Sequence, residues 1–308
     1  MNTSKQKSQT GLPIAEPEDE GFSKERLARI GTSMQRYIDN RIIPGIITVV
    51  ARHGRIVHFE SMGLMDIENN KPMKADTIFR IMSMTKPIAC VGLMMLYEEG
   101  LFLLDDPISN YLPSFKNMMV QTKRGMLEPA KRQITIRDCM THTAGFSMQE
   151  WTKIRSGFAQ GERPEPVVPG TTGTIINQPG EGGTLEEAVE LLSIVPLSYH
   201  PGTDWEYHPG HEVVGALIET ISGQSLDKYL EERILIPLNM VDTHFYLPGE
   251  KADRLAALYT VDQNSWGNIG LIDSPSTSAK IHGPKTYFSS GGGLLSTAAN
   301  SKPPPEEK

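Results

Sequence analysis

Cysteine is scarce in this chain: Cys90 and Cys139 are the only two among 308 residues. At most one bridge can form, so a disulfide framework is excluded, and each thiol falls within an apolar or helical pattern that suits a small buried side chain. Long apolar runs are missing too. No stretch approaches the roughly 20 residues of a membrane-spanning helix, and the opening MNTSKQKSQTGLPIAEPEDEG has no apolar core of a secretory signal. Reducing surroundings and a cytoplasmic location, with no membrane partner, are the expectation. Basic charge is not in excess either. Thirty Lys and Arg against 37 Asp and Glu give a net charge of -7, which offers no electrostatic footprint for nucleic acid.

Several motifs that carry chemistry are also absent. There is no GxSxG elbow, no Walker loop and no GxGxxG after a strand, which argues against an α/β-hydrolase nucleophile and against nucleotide enzymes. His211-Glu212-Val213-Val214-Gly215 opens like a helical zinc site but has glycine where the second histidine ligand must stand. Neither a metal nor another cofactor is expected.

What is present is Ser83-Met84-Thr85-Lys86, a hydroxyl and an amine three residues apart where an amphipathic helix begins. Positions i and i+3 share a helix face, and the first turn, with its unpaired N–H groups, favours a developing negative charge. The bare pattern is weak, since Ser4-Lys5-Gln6-Lys7 matches it in a polar tail. Context separates the two. Ser83 is followed by a mostly apolar run from Pro87 to Leu96 that ends at Gly100. A buried helix could also carry such a pair for structure alone.

Along the chain, Phe22 to Asn40 reads as an amphipathic helix capped by Ser23. Ile46–Ala51 and Ile56–Glu60 read as two antiparallel strands joined through His53-Gly54-Arg55 and packed on that helix. From Ser83 to about Tyr246 the pattern is mainly helical, with a capped helix from Thr184 to Leu192 and a helix pair broken at Gly223. Gly161 to Gly183, rich in Pro, Gly and Thr, reads as a surface loop. Phe59, Phe79, Trp205 and the methionines Met82, Met84, Met94 and Met95 are assigned to the core. Asp105 and Asp106 are expected to close a turn before Pro107. His142, in Thr141-His142-Thr143, and His208 are candidate general bases, although hydrogen-bonded structural roles suit them better.

Five segments then take on a joint meaning. FRIMSMTKP, LMMLYEEGLFLLDDPISNYLPSF, ITIRDCMTHTAGF, PGTDWEYHPGHEVVGALIETISGQSLDKYLEERILIPLNM and SSGGGLLSTAA follow one another in an order and spacing that resemble the serine β-lactamase-like superfamily. The nearest types are class C β-lactamases, D,D-peptidases and family VIII carboxylesterases. The resemblance covers about Gly21 to Asn300. It implies an α/β (α+β) fold, with an antiparallel sheet flanked by helices and a mainly helical lobe. It further implies Ser83 as acylated nucleophile and source of one oxyanion N–H, Lys86 as its activating neighbour, and Tyr207 as the tyrosine of the second motif.

The sequence departs from that pattern twice. Tyr207-His208-Pro209 has proline where class C β-lactamases carry an asparagine, so small esters rather than lactams are the expected substrates. Relatives also continue past the GGGLLSTAA segment with a helix and three strands bearing a Lys-Thr-Gly or His-x-Gly motif and the second oxyanion donor. Lys285-Thr286-Tyr287 and His282-Gly283 lie upstream of the glycine run and do not fit that role. The expected organisation is therefore a disordered tail over 1–20, an incomplete α/β lobe over 21–82 and 260–300, a helical lobe over 83–259, and a second tail over 301–308, with the C-terminal strands missing. Two other readings stay open: a catalytically impaired truncated scaffold, and a D-amino acid peptidase or weak β-lactamase. An exposed strand edge would favour association with another chain.

Overall fold

The computed structural model describes residues 12–122, 124–159, 183–261 and 269–298. Its helices are α1 (Lys24–Asp39), α2 (Thr85–Glu98), α3 (Ile136–Thr141), α4 (Met148–Ala159), α5 (Leu185–Ser193), α6 (Gly210–Ser222), α7 (Leu226–Leu230) and α8 (Ala279–His282). Its strands are β1 (Gly45–Arg52), β2 (Arg55–Asp66), β3 (Lys71–Pro72), β4 (Ile78–Arg80), β5 (Met119–Gln121), β6 (Leu127–Pro129), β7 (Leu258–Val261), β8 (Ile269–Asp273) and β9 (Leu295–Thr297). All pairings between these strands are antiparallel. The mixed α/β architecture expected from the sequence is the one found. No helix among the described residues is long and apolar enough to cross a membrane.

The chain divides into two compact units. The first comprises Met1–Arg80, Leu235–Gly283 and Leu295–Lys308. Within it β1, β2 and β3 form a three-stranded sheet, and the turn between β1 and β2 is made by His53 and Gly54, both at positive φ, the geometry that matches strand twist in a two-residue hairpin. α1 starts where Ser23 accepts the Arg26 N–H at 3.2 Å. Leu247 and Leu255, which the sequence reading puts in the helical lobe, are fully buried with Ile78 and Leu295 in this unit.

Residues 12–20, within the segment assigned as a tail, are structured. Ala15 donates its N–H to the Ile56 carbonyl at 2.9 Å, and the buried Glu20 carboxylate takes His53 at 2.9 Å and Arg55 at 3.4 Å. A buried carboxylate bonded to His53 and paired with Arg55 anchors the segment, which composition alone does not reveal. The loop expected over Gly161–Gly183 and the tail over 301–308 lie, apart from Gly183, outside the described residues.

The second unit comprises Ile81–Ile234 and Pro284–Leu294. Its centre is α6, whose residues Gly210 to Ile218 are all buried; a helix buried on every face belongs inside a unit. α6 ends at Gly223, at φ 70°, and α7 then runs into one π-helical turn, Glu231–Leu235. α2 approaches α7 closely at Gly92, where a Cβ would lie 2.8 Å from the Leu230 side chain. The Tyr229 hydroxyl closes that approach by donating to the Gly92 carbonyl at 3.0 Å. Thr135 and Thr184 each begin a helix with a reciprocal capping box, to Asp138 and Glu187. Asp106 closes its turn by accepting the Leu103 N–H at 2.8 Å.

Candidate active site

Ser83 lies in a single 3-10 turn, Met82–Met84, that leads directly into α2. The nucleophile expected in the first helical turn thus sits just before it. Met82 has φ 46°, a left-handed conformation that costs a side chain other than glycine about 1–3 kcal/mol. That turn lifts Ser83 to an exposed position while Thr85 behind it is fully buried, and the Thr85 hydroxyl accepts the Leu294 N–H at 3.1 Å.

Three side chains converge at this point. The Lys86 ammonium donates to Ser83 Oγ at 3.0 Å, and the Tyr207 hydroxyl lies 2.6 Å from the same oxygen. The Lys86 Nζ also stands 5.0 Å from the centroid of the Tyr207 ring. Since Lys86 already donates to Ser83 Oγ, the serine proton is free to point at the Tyr207 oxygen. Burial raises the Tyr207 phenol, but hydrogen bonding from Lys86 and Ser83 and the Lys86 charge outweigh it and hold the phenol below its ordinary value.

Lys86 has one further partner that the sequence did not flag. Its Nζ donates to the Gly291 carbonyl at 2.5 Å, in the Ser289–Leu294 turn. Gly292 of that turn faces the Met82 backbone, with a would-be Cβ at 3.6 Å. The run of three glycines from Gly291 to Gly293 was the available signal, since glycine runs mark close backbone approach.

Both candidate histidine bases are near but differently employed. His142 caps α3 at φ 61°, its ring centroid lies 4.7 Å from that of Tyr207, and its Nδ1 accepts the His208 N–H at 3.2 Å. Burial, then the Lys86 charge, pushes its pKa down. His208 is buried, with its Nε2 3.1 Å from the Ala144 N–H, and burial lowers its pKa to about 4. His211 lies against His142, the rings tilted by 43° with centroids 4.7 Å apart, and is lowered to about 3, again by burial first. Burial first, with the neighbouring rings, thereby keeps these imidazoles neutral near pH 7.

Part of the expected core is surface at this site. Trp205, Met82 and Met84 are 62%, 45% and 70% exposed. Trp205 meets His142 edge to face at 6.0 Å, so these apolar groups lie at the surface instead of filling the interior. Apolarity cannot by itself distinguish a core side chain from one lining a site. Pro209 stands at the start of α6 with no side-chain amide to offer. Thr286 of the Lys285-Thr286-Tyr287 decoy donates to the Gly183 carbonyl at 3.3 Å.

Comparison with known proteins shows the family of the chain. A family model described as Beta-lactamase matches residues 31–300, and the chain belongs to that family. It is similar to esterase EstB of Burkholderia gladioli, 31% identical over 232 residues, covering 75% of this chain and 54% of that protein. A putative D-alanyl-D-alanine carboxypeptidase of Escherichia coli K12 is 28% identical, over 91% of this chain and 62% of its own length. Among solved structures, EstCE1, a hydrolase with promiscuous acyltransferase activity, superposes with a TM-score of 0.66 at 26% identity, covering 89% of this chain and 70% of that one. The chain spans little more than half the length of the esterase it matches.

Proposed function

We propose that this protein is a serine hydrolase that works through an acyl-enzyme, acting as a carboxylesterase on small esters. The observation that carries the reading is the double engagement of Ser83 Oγ, by Lys86 at 3.0 Å and Tyr207 at 2.6 Å. Ser83 Oγ attacks the ester carbonyl, and its proton passes to the Tyr207 oxygen as the new C–O bond forms. The tetrahedral intermediate collapses, the alkoxide leaves with a proton from the Tyr207–Lys86 pair, and water repeats the sequence to release the acid. The backbone N–H of Ser83 supplies one oxyanion donor; such donors are worth roughly 3 kcal/mol each.

An ordinary phenol, with a pKa of about 10, is roughly a thousandfold from half-ionised at pH 7, a gap of about 4 kcal/mol. The Lys86 ammonium beside Tyr207 acts in the direction that closes it. Phenol and ammonium share protons as one coupled unit, so the pair titrates together. Similarity to EstB and EstCE1 supports ester substrates, and Pro209, which has no amide to bind a lactam side chain, supports the same preference. A second reading, cleavage of D-amino acid amides, is favoured by the likeness to the Escherichia coli protein.

A fluorophosphonate probe and p-nitrophenyl butyrate test the proposal, with Ser83→Ala as control. Labelling and ester turnover that disappear in the variant support it; labelling that persists overturns it. Turnover of a D-alanyl-D-alanine peptide faster than of the ester would select the second reading.

A further inference from the structure

The abandoned zinc-like motif has a different use. Glu212 is almost fully buried in the first turn of α6, and its carboxylate binds the Ser289–Gly291 segment rather than solvent. The Ser289 hydroxyl donates to Oε1 at 2.6 Å, and the Ser290 N–H donates to Oε2 at 3.1 Å. Ser289 Oγ in turn accepts the Gly292 N–H at 3.1 Å. The neighbouring His211 carbonyl takes the Ser290 hydroxyl at 2.6 Å. Two glycines make the contact close enough: a Cβ on Gly291 would lie 2.6 Å from Glu212 Oε1, and one on Gly215 would lie 2.3 Å from Ser290 Oγ.

The same segment ends at the carbonyl that receives Lys86. Burying a carboxylate is costly unless its oxygens are satisfied, and here they are satisfied by the turn that faces the ammonium. A simple filler residue would hold α6 against this turn without that cost.

We infer that Glu212 is a positioning residue of the proposed reaction: by fixing the Ser289–Gly291 turn it holds the Gly291 carbonyl against the Lys86 ammonium, and so sets where that ammonium points relative to Ser83 and Tyr207. The inference rests on the acyl-transfer reading for its catalytic meaning. It goes beyond that reading by adding a residue that touches neither substrate nor nucleophile. Among the described residues, the titratable groups shifted by the Lys86 charge are Cys90 on its own helix, together with His142, Tyr207 and His211.

The test is the rate of fluorophosphonate labelling of Ser83 against pH, in the parent chain, Glu212→Gln and Ser289→Ala. Glu212→Gln removes one acceptor and a charge; Ser289→Ala removes the same contact and no charge. Both are expected to label roughly ten- to a hundredfold more slowly at pH 7, the scale of a small misplacement of a reacting group. The midpoint of the acid limb should also move to higher pH in both, because a mobile ammonium stabilises the Tyr207 phenolate less. Parental rate and midpoint in the two variants would overturn the inference. So would a downward shift in Glu212→Gln with Ser289→Ala silent, which is the signature of charge alone. Should Glu212→Gln fail to melt cooperatively, Ser289→Ala decides.

If the parent chain is not labelled at Ser83, the acyl-transfer reading falls by itself. The positioning inference is then decided by ultraviolet difference titration of the Tyr207 phenol, with Tyr207→Phe as the blank. An ionisation moved to higher pH in both variants sustains it, and coincidence with the parent chain overturns it.

Discussion

The Tyr207 hydroxyl lies 2.6 Å from Ser83 Oγ although 124 positions separate the two residues in sequence. Nothing local enforces that meeting. Tyr207 is carried on the segment before α6, and α6 is buried through its first nine residues, so the tyrosine is held at the entrance to a buried helix. Tyr207→Phe removes the oxygen and leaves the ring against His142. Labelling of Ser83 is expected to fall by about 10²–10⁴, the usual contribution of a positioned base. Lys86→Met should do likewise. Neither variant should change the thermal midpoint by more than about 2 °C, since both side chains are at least partly solvent-accessible. A Tyr207→Phe chain that labels as fast as the parent would remove tyrosine from the reaction.

Strain sits one residue before Ser83. Met82 is held at φ 46° with 45% of its surface exposed, so its side chain contributes little burial to offset the conformation. Met82→Gly relieves a cost of about 1–3 kcal/mol and restores less than that in unfolded-state freedom. The variant is expected to melt no lower than the parent, yet to label more slowly, because Ser83 is then presented by a looser turn. A lower melting point with unchanged labelling would show that the turn is not strained in a way that serves Ser83.

How much of this was legible in the sequence differs by residue. Ser83, Lys86 and Tyr207 stand in motifs with helical or turn context, and the structure brings all three together. The hairpin at His53-Gly54 and the break at Gly223 were readable because positive φ restricts the residues that suit it. Gly291 and Glu212 were not singled out, because their importance comes from contacts distant in sequence: the Gly291 carbonyl meets Lys86 across 205 positions, and the Glu212 carboxylate meets Ser289 and Ser290 across 77 and 78. Trp205 and Met84 were misassigned to the core for the converse reason: side-chain chemistry says that they prefer apolar surroundings, not which surroundings they have.

Two glycines of the first unit predict opposite outcomes for the same substitution. Gly31 lies within α1, and a Cβ there would meet the Glu60 carboxylate at 2.4–2.9 Å. That group is the far end of a flexible side chain, 41% exposed, and can swing into water. Gly31→Ala should therefore be neutral or stabilising by up to about 1 kcal/mol, the helix-propensity gain. Gly45 opens β1, and its Cβ would lie 2.6–2.8 Å from backbone atoms of Met62 and Leu64, which cannot move without breaking the β1–β2 register. Gly45→Ala should cost about 1–3 kcal/mol. Denaturant midpoints of the two variants against the parent check the contrast, and a destabilised Gly31→Ala alongside a neutral Gly45→Ala would contradict it.

His208 and His211 make stability depend on pH in a direction fixed by their burial. Their folded-state pKa values, about 4 and about 3, lie below the roughly 6.5 of an unfolded histidine. Between those values the unfolded chain binds protons that the folded chain does not, so stability rises with pH there. Their contribution is fully present above about pH 6.5 and is lost as pH falls toward 4 and then 3. Each proton taken up on unfolding steepens the fall by about 1.4 kcal/mol per pH unit. His211→Leu removes one of the two, together with an Nδ1 that has no hydrogen-bond partner among the described residues. Its unfolding free energy should therefore decline less steeply than the parent's from pH 6.5 to 4.5, by close to one proton's slope. Parallel curves would mean that His211 is protonated in the folded chain, and that the neutral imidazole cluster beside Lys86 does not exist in solution.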